Sequence, residues 1–154
     1  AELNYEIKNF SFSLVGQGVA GNDIFRANRR FDLQMANLPG EALERWTGEG
    51  TSNTHPRLVA NDPNMNYSRS SDFYIEDGSF FRIRNAQVAY TLPTDLTERV
   101  RMSKCKIYVS VNNALTFTKY KGFDPEIGGN SFGVDRGIYP IPRQYLVGLN
   151  VTFK

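Results

Sequence analysis

Cysteine, histidine and tryptophan occur once each in the 154 residues of this chain. A single thiol, Cys105, excludes an intrachain disulfide framework, and with His55 as its only imidazole the chain lacks the Cys/His cluster that holds zinc. No apolar run approaches the roughly 20 residues of a membrane helix, and the first residues do not read as a signal peptide. These absences leave a membrane β-barrel open, because its strands alternate apolar residues with residues of the other face. Charge of one sign is missing too. Eighteen Lys and Arg stand against 16 Asp and Glu, a balance that excludes a nucleic-acid footprint. What remains is 13% aromatic residues and 13 glycines, with Asn-rich stretches, the composition of a β-rich protein with long polar loops.

The last residues alternate strictly. Tyr145, Val147, Leu149, Val151 and Phe153 fall on one side of an extended chain, and Gln144, Leu146, Gly148, Asn150, Thr152 and Lys154 on the other. The segment is as long as one bilayer crossing by a tilted strand, so it reads as the closing strand of an outer-membrane barrel. The same rhythm sets Ile107, Val109, Val111, Leu115 and Phe117 against Lys106, Tyr108, Ser110, Asn112, Ala114, Thr116 and Thr118, with Asn113 breaking the apolar stripe. It also sets Ala86, Val88, Tyr90 and Leu92 against Asn85, Gln87, Ala89 and Thr91. Leu3, Tyr5 and Ile7, a Lys8-Asn9 turn, then Phe10, Phe12 and Leu14 form a hairpin.

Connections are unequal. Periodicity is absent from about Gly18 to Asp72, where Pro39 to Trp46 reads as a short helix. Pro93 to Lys104 is moderate, with one helical turn expected over Asp95 to Val100, and Lys119 to Pro142 is long and Gly-rich. Long loops at one end and short turns at the other suit a barrel with an outside and a periplasmic side. At most five strands are visible, fewer than the eight of the smallest bacterial membrane barrels, so the chain is expected to be a portion of a larger polypeptide or to pair with other chains along both open edges.

Several residues invite chemistry. Gly16 to Gly21 matches G-x-G-x-x-G, but Asn22 to Arg30 is a poor amphipathic helix and no second parallel strand with an acidic end follows, so a dinucleotide site is rejected in favour of a barrel strand thinned by glycine near its mouth or of a turn. His55 reads as a solvent-exposed loop residue, and Cys105 as a buried or interior-facing bystander. Asp62 with Asn61 and Asn64 has oxygen ligands for calcium, though not at EF-hand spacing, and Asp62-Pro63 serves equally as turn chemistry. Arg82 and Arg84 share a face with Ala86, Val88 and Tyr90 by parity. They are expected either to lie above the hydrocarbon zone or to be turned inward by a bulge, since cations at mid-bilayer are costly. No catalytic, cofactor-binding or metal site is assigned.

The runs Gln17-Gly-Val-Ala-Gly-Asn-Asp23, Arg45-Trp46-Thr47, Pro56-Arg57, Ile75-Glu-Asp-Gly-Ser-Phe-Phe-Arg82 and Ala89-Tyr-Thr-Leu-Pro93 resemble the C-terminal portion of SusC-like TonB-dependent outer-membrane receptors. Tyr120-Lys-Gly-Phe-Asp-Pro-Glu126, Gly137-Ile-Tyr-Pro140, Pro142-Arg143 and Gly148-Leu-Asn-Val-Thr-Phe153 continue the pattern in the same order. The resemblance covers essentially the whole chain. It implies a barrel of about twenty-two strands, with the plug domain and the TonB-contacting segment lying outside these residues. It further implies a SusD-like surface lipoprotein as lid, oligosaccharides or peptides as cargo, TonB as the energy source, and residence in the outer membrane of a Gram-negative bacterium.

The expected architecture is therefore all-β, with about five antiparallel strands of a transmembrane barrel over residues 1–154 and outer-membrane lipid on one face. The work that the resemblance implies is transport, not catalysis. Asn85, Gln87, Tyr108, Ser110, Asn112 and Thr116 are expected to face the barrel lumen. Tyr90, Phe117, Tyr145 and Phe153 are expected in interfacial girdles. Trp46, Tyr67, Phe73, Tyr74, Phe123 and Tyr139 are loop aromatics suited to contact substrate or lid, or to pack the loops themselves, Phe132 being a further one. The alternatives are a soluble β-sandwich or lipocalin-like binding module, and a surface adhesin or carbohydrate-active enzyme domain.

Overall fold

A computed structural model describes residues 1–33, 35, 37–127 and 131–153. Lys154, residues 128–130 of the second long connection, and residues 34 and 36 of the first lie outside the described set. The chain divides into two compact units. One comprises Ala1–Asn22, Asp77–Glu126 and Tyr139–Lys154, the other Asp23–Glu76 and Ile127–Ile138.

Among the described residues of the first unit, β1 (Glu2–Ile7), β2 (Phe10–Val19), β5 (Phe80–Thr91), β6 (Met102–Thr118) and β8 (Gln144–Phe153) form one five-stranded antiparallel sheet in the order β1-β2-β5-β6-β8. These are the five strands that two-residue alternation predicts. The β1-β2 turn is Lys8-Asn9, with Lys8 at φ 52°, and the connection after β5 holds one turn of helix, α1 (Thr94–Glu98). No helix among the described residues is long and apolar enough to cross a membrane.

Register turns the alternation into rows. Ile7, Phe10, Tyr90, Ile107 and Leu149 lie side by side across all five strands. So do Tyr5, Phe12, Val88, Val109 and Val147, and so do Leu3, Leu14, Ala86, Val111 and Tyr145. Three uninterrupted apolar rows thus run across one face. They are uncovered: Leu3 is 64% exposed, Val109 50% and Val147 79%. The opposite face carries Asn4, Ser13, Gln87, Ser110 and Leu146, then Glu2, Val15, Asn85, Asn112 and Gln144. Ser110 is buried among its neighbours on this face. A Cβ on Gly148 would collide with the ring of Tyr108, its cross-strand partner, so glycine there gives the tyrosine a place to lie flat on the sheet.

The parity of Arg82 and Arg84 is resolved by a bulge. Val15 pairs with Asn85 and Gly16 with Ile83, which leaves Arg84 without an opposite residue on β2. On the other side, Arg84 faces both Asn113 and Ala114, because Asn85 pairs with Asn112 and Ile83 with Leu115. Asn113 takes the left-handed φ of 52° that this extra residue requires. Beyond the irregularity Ile83 and Phe81 join the apolar face, with Phe81 stacked 6.5 Å from Phe117, and Arg82 moves to the polar one. Gly16 makes room for this change: a Cβ there would stand 2.8 Å from Phe81 Cζ.

The second unit holds what the sequence shows as an aperiodic loop. Its small sheet places β3 (Asp23–Arg26) between β4 (Ile75–Asp77) and the two-residue β7 (Val134–Asp135), with β3 and β7 parallel. The helix expected at Pro39 to Trp46 is a 3-10 helix over Gly40–Glu44 preceded by Pro39.

Candidate functional site

The polar face of the five-stranded sheet carries a network that spans three strands. Asn85 Nδ2 donates to Asn112 Oδ1 at 2.8 Å, and Asn112 Nδ2 to Gln144 Oε1 at 3.4 Å. Gln87 and Ser110 pair in the next row, and Tyr108 lies over Gly148 one row further. Thr116 accepts from Arg82 Nε at 2.9 Å. The register thus brings Asn85, Gln87, Tyr108, Ser110, Asn112 and Thr116 to a single face.

Above the bulge this face becomes ionic. Arg82 is buried and donates to Asp124 at 2.6 Å and to Glu126 at 2.9 Å. Arg84 donates to Gln17 at 2.9 Å and is paired with Glu126. Two cations meet two carboxylates, so the cluster is neutral and each buried charge is matched. Asp124 does more than neutralise: it accepts from the backbone N–H of Glu126 at 2.9 Å and of Ile141 at 3.2 Å. One carboxylate therefore ties the segment after β6 and the segment before β8 to the sheet. Burial alone would raise its pKa, but the Glu126 N–H, the Arg82 guanidinium and the Ile141 N–H together hold it below the usual carboxylate value.

Between these segments and the sheet lies a cavity of about 310 Å³. Its floor is Arg82, Thr116 and Asp124, and its rim includes Phe123, Ile141 and Arg143. Phe123 is 66% exposed. Tyr139, in the same unit, is also exposed.

The second unit has an interior of its own. Phe31, Ala42 and Tyr67 are buried together, with Leu58 and Phe73 against them. Tyr67 donates its hydroxyl to Pro56 O at 3.0 Å, and Tyr74 donates to Tyr67 O at 2.5 Å. Burial, with the neighbouring Tyr74, pushes the Tyr67 phenol up to about 12. Tyr67 and Tyr74 are therefore structural: each is at most 2% exposed, and neither has surface to offer a ligand. Phe73 is largely committed as well, packing edge-on to His55 and lying 3.9 Å beneath Arg29. Trp46 keeps part of its ring exposed.

His55 is buried, contrary to the expectation of an exposed loop residue. Its ring lies 3.0 Å from Thr54 Oγ1, 3.0 Å from Arg29 Nη2 and 3.4 Å from Glu41 Oε1. Arg26 and Arg29 reach Glu41 at 2.8 and 2.7 Å, and Arg26 reaches Glu76 at 2.9 Å. Burial would raise the Glu41 carboxyl, but the two arginines hold it down. Arg26, Arg29, Glu41, His55 and Glu76 thus form the polar half of this unit's core. Nothing local in the sequence marks it, since Arg29 and Glu41 lie twelve residues apart in an aperiodic stretch.

Asp62 is spent on its own loop. Its carboxylate accepts from the backbone N–H of Asn66, Tyr67 and Ser68 and from the Ser68 hydroxyl, all at 2.8–2.9 Å. Among the described residues no group of three or more His, Cys, Asp or Glu could hold a metal ion. Cys105 is buried in β6 opposite Val151.

Comparison with known proteins adds a consistent set. TonB-dependent receptor P26 of Formosa agariphila is 31% identical over 163 residues, a match that takes in 99% of this chain and 16% of that protein. TonB-dependent receptor SusC of Bacteroides thetaiotaomicron is 28% identical over 149 residues, 96% of this chain and 14% of that protein. The solved RagAB peptide importer in its open-open state matches with a TM-score of 0.70 at 28% identity, over 95% of this chain and 16% of its own. The chain thus spans 14–16% of the length of these proteins. No protein-family model matches it.

Proposed function

We infer that this chain, which belongs to the SusC-like TonB-dependent receptors as a segment of one, builds part of an outer-membrane barrel wall through which nutrients are imported. The observation that carries this reading is the set of three apolar rows crossing five strands, uncovered on their outer side. In water such a surface is far larger than the patches soluble proteins tolerate, and a β-sandwich would have to cover it. Against lipid it is the required face. β1 and β8 are the sheet's edges, and in the complete barrel they pair with strands from the rest of the polypeptide, since an unpaired edge is not viable in hydrocarbon.

The polar face then looks into the barrel, where its amides and hydroxyls meet the plug, water or cargo. The segment is the C-terminal part of the barrel, and the plug and the TonB-contacting residues belong to other parts of the receptor. A SusD-like surface lipoprotein lids the extracellular mouth. The protein moves its cargo without chemical change and acts as no enzyme. Oligosaccharides and peptides are the two cargo classes, and the likeness to a peptide importer supports the second.

The test is uptake in the native bacterium. Deleting the gene for the full receptor is expected to abolish import of labelled peptides or oligosaccharides of one class, and loss of TonB is expected to do the same. Uptake of both classes at the parental level in the deletion strain refutes the reading, as does recovery of the full receptor from the soluble fraction.

A further inference from the structure

We propose that the cavity at the long-loop end of the polar face is a subsite for a carboxylate carried beside an apolar group, with Arg143 as the cation that receives it. The proposal rests on the reading of this face as the interior of an importer. Arg82 and Arg84 are matched by Asp124 and Glu126, and Arg82 is fully engaged through Thr116, Asp124 and Glu126. Arg143 also lines the cavity. It is exposed, and among the described residues it has no hydrogen bond or ion pair. The site therefore carries one uncommitted positive charge over a neutral floor. That favours a single anionic group and disfavours a cation.

Shape and chemistry narrow the ligand further. One guanidinium fork fits one carboxylate through two parallel N–H···O bonds, whereas a dianionic phosphate would call for more than one uncommitted cation. The rest of the rim is apolar: Phe123 is 66% exposed, Ile141 is 42% exposed, and Pro140 stands beside them. An exposed phenyl ring beside an uncommitted guanidinium suits a ligand whose carboxylate adjoins a hydrophobic side chain or a sugar ring face. The volume of about 310 Å³ is at the small end of ligand pockets, large enough for the end of an extended ligand and not for the whole of it. The shared chemistry is a carboxylate on an apolar or ring surface, supplied either by a peptide C-terminus or by a uronic acid.

The experiment uses the full receptor with its lipoprotein partner in detergent micelles, titrated with an apolar tetrapeptide as the free acid and as the C-terminal amide. A tetragalacturonate and a neutral maltotetraose serve as the sugar pair. We expect one acidic member to bind about tenfold tighter than its neutral counterpart, the scale of one charge-assisted pair at a partly wet site. Arg143→Gln is expected to bring the acid down to the level of the neutral form and leave the neutral form unchanged, and Arg143→Lys to restore part of the preference. Whether the peptide or the uronate pair shows the effect identifies the source. Equal affinity within both pairs, discrimination that survives in Arg143→Gln, or no binding by either acid overturns the proposal. Uptake measured in parallel separates the two readings. Cells that import acid and amide equally well retain an importer without this subsite, and a receptor that discriminates in micelles but supports no uptake retains the subsite without import.

Discussion

Replacing Asp124 with alanine removes a side chain that joins both long-loop segments to the sheet, and its effect can be worked out bond by bond. The carboxylate accepts from Arg82, Glu126 N–H and Ile141 N–H. A hydrogen bond to a charged group contributes about 1.5–3 kcal/mol. The loss of Asp124 would leave Arg82 buried, yet Glu126 and Thr116 still hold it, so the penalty stays below the roughly 3–5 kcal/mol of a wholly uncompensated buried charge. Each freed amide loses one such bond, so a local destabilisation of about 2 kcal/mol is expected at each of the two segments, which corresponds to more than tenfold faster opening there. Hydrogen–deuterium exchange on the full receptor reads this directly. Peptides covering 124–126 and 139–142 should exchange faster in the variant, while 107–111, in the middle of β6, stays protected.

The pH dependence carries the same sign. The folded carboxyl has its pKa depressed below the unfolded value of 3.8, so its contribution is complete above that value and is lost as pH falls through the folded pKa. The tie should therefore persist at mildly acidic pH and loosen only in strong acid. Unchanged exchange at 139–142 in Asp124→Ala, or a tie that loosens near neutrality, would refute the reasoning.

Arginine at Val109 or Leu149 places a cation on the apolar rows and is expected to impair barrel assembly by about 2–4 kcal/mol at mid-bilayer depth, whereas arginine at Gln144 on the polar face should be tolerated; equal yields of heat-modifiable folded receptor from all three would undo the face assignment. By sequence alone Ser110 looks like the natural control, but it is buried, so arginine there would also have to displace its neighbours. Gly148→Ala drives a methyl into the Tyr108 ring and should cost about 1–3 kcal/mol of packing strain. Denaturant titration should show the loss largely recovered in the Gly148→Ala, Tyr108→Ala pair. Asp62→Ala frees three backbone amides at once and should open residues 62–68 to limited proteolysis while the strand segments resist.

The large sheet is legible in the sequence because every one of its strands is long enough to show a period of two. Ten residues at β2 and seventeen at β6 give many independent chances for alternation to declare itself, and the register follows from matching stripe to stripe. The small sheet is not legible, since two to four residues at β3, β4 and β7 carry no period, and the parallel pairing of Phe25 with Val134 joins positions far apart in the chain. The site divides in the same way. Asn85, Asn112 and Thr116 fall on the polar face by simple parity, but Arg82 reaches it only through the bulge, which sequence could offer as one of two options. His55 looks like a surface residue because loops are generally wet, while for Tyr67 and Tyr74 the sequence offers either contact with a ligand or lid or packing within the loops. They are buried because a loop of this length builds a core of its own, and that depends on contacts no local pattern records.

The extra residues at Arg84 and Asn113 also bear on how the gene can change. Loss of Arg84 alone would restore plain alternation in β5 and leave Ile83 and Phe81 on the apolar face, whereas loss of Arg82, beyond the bulge, would turn Phe81 to the wet side. Single-codon indels should therefore be tolerated best at the bulge and in the long surface connections, and least in the regular stretch of β5 between Ile83 and Phe80.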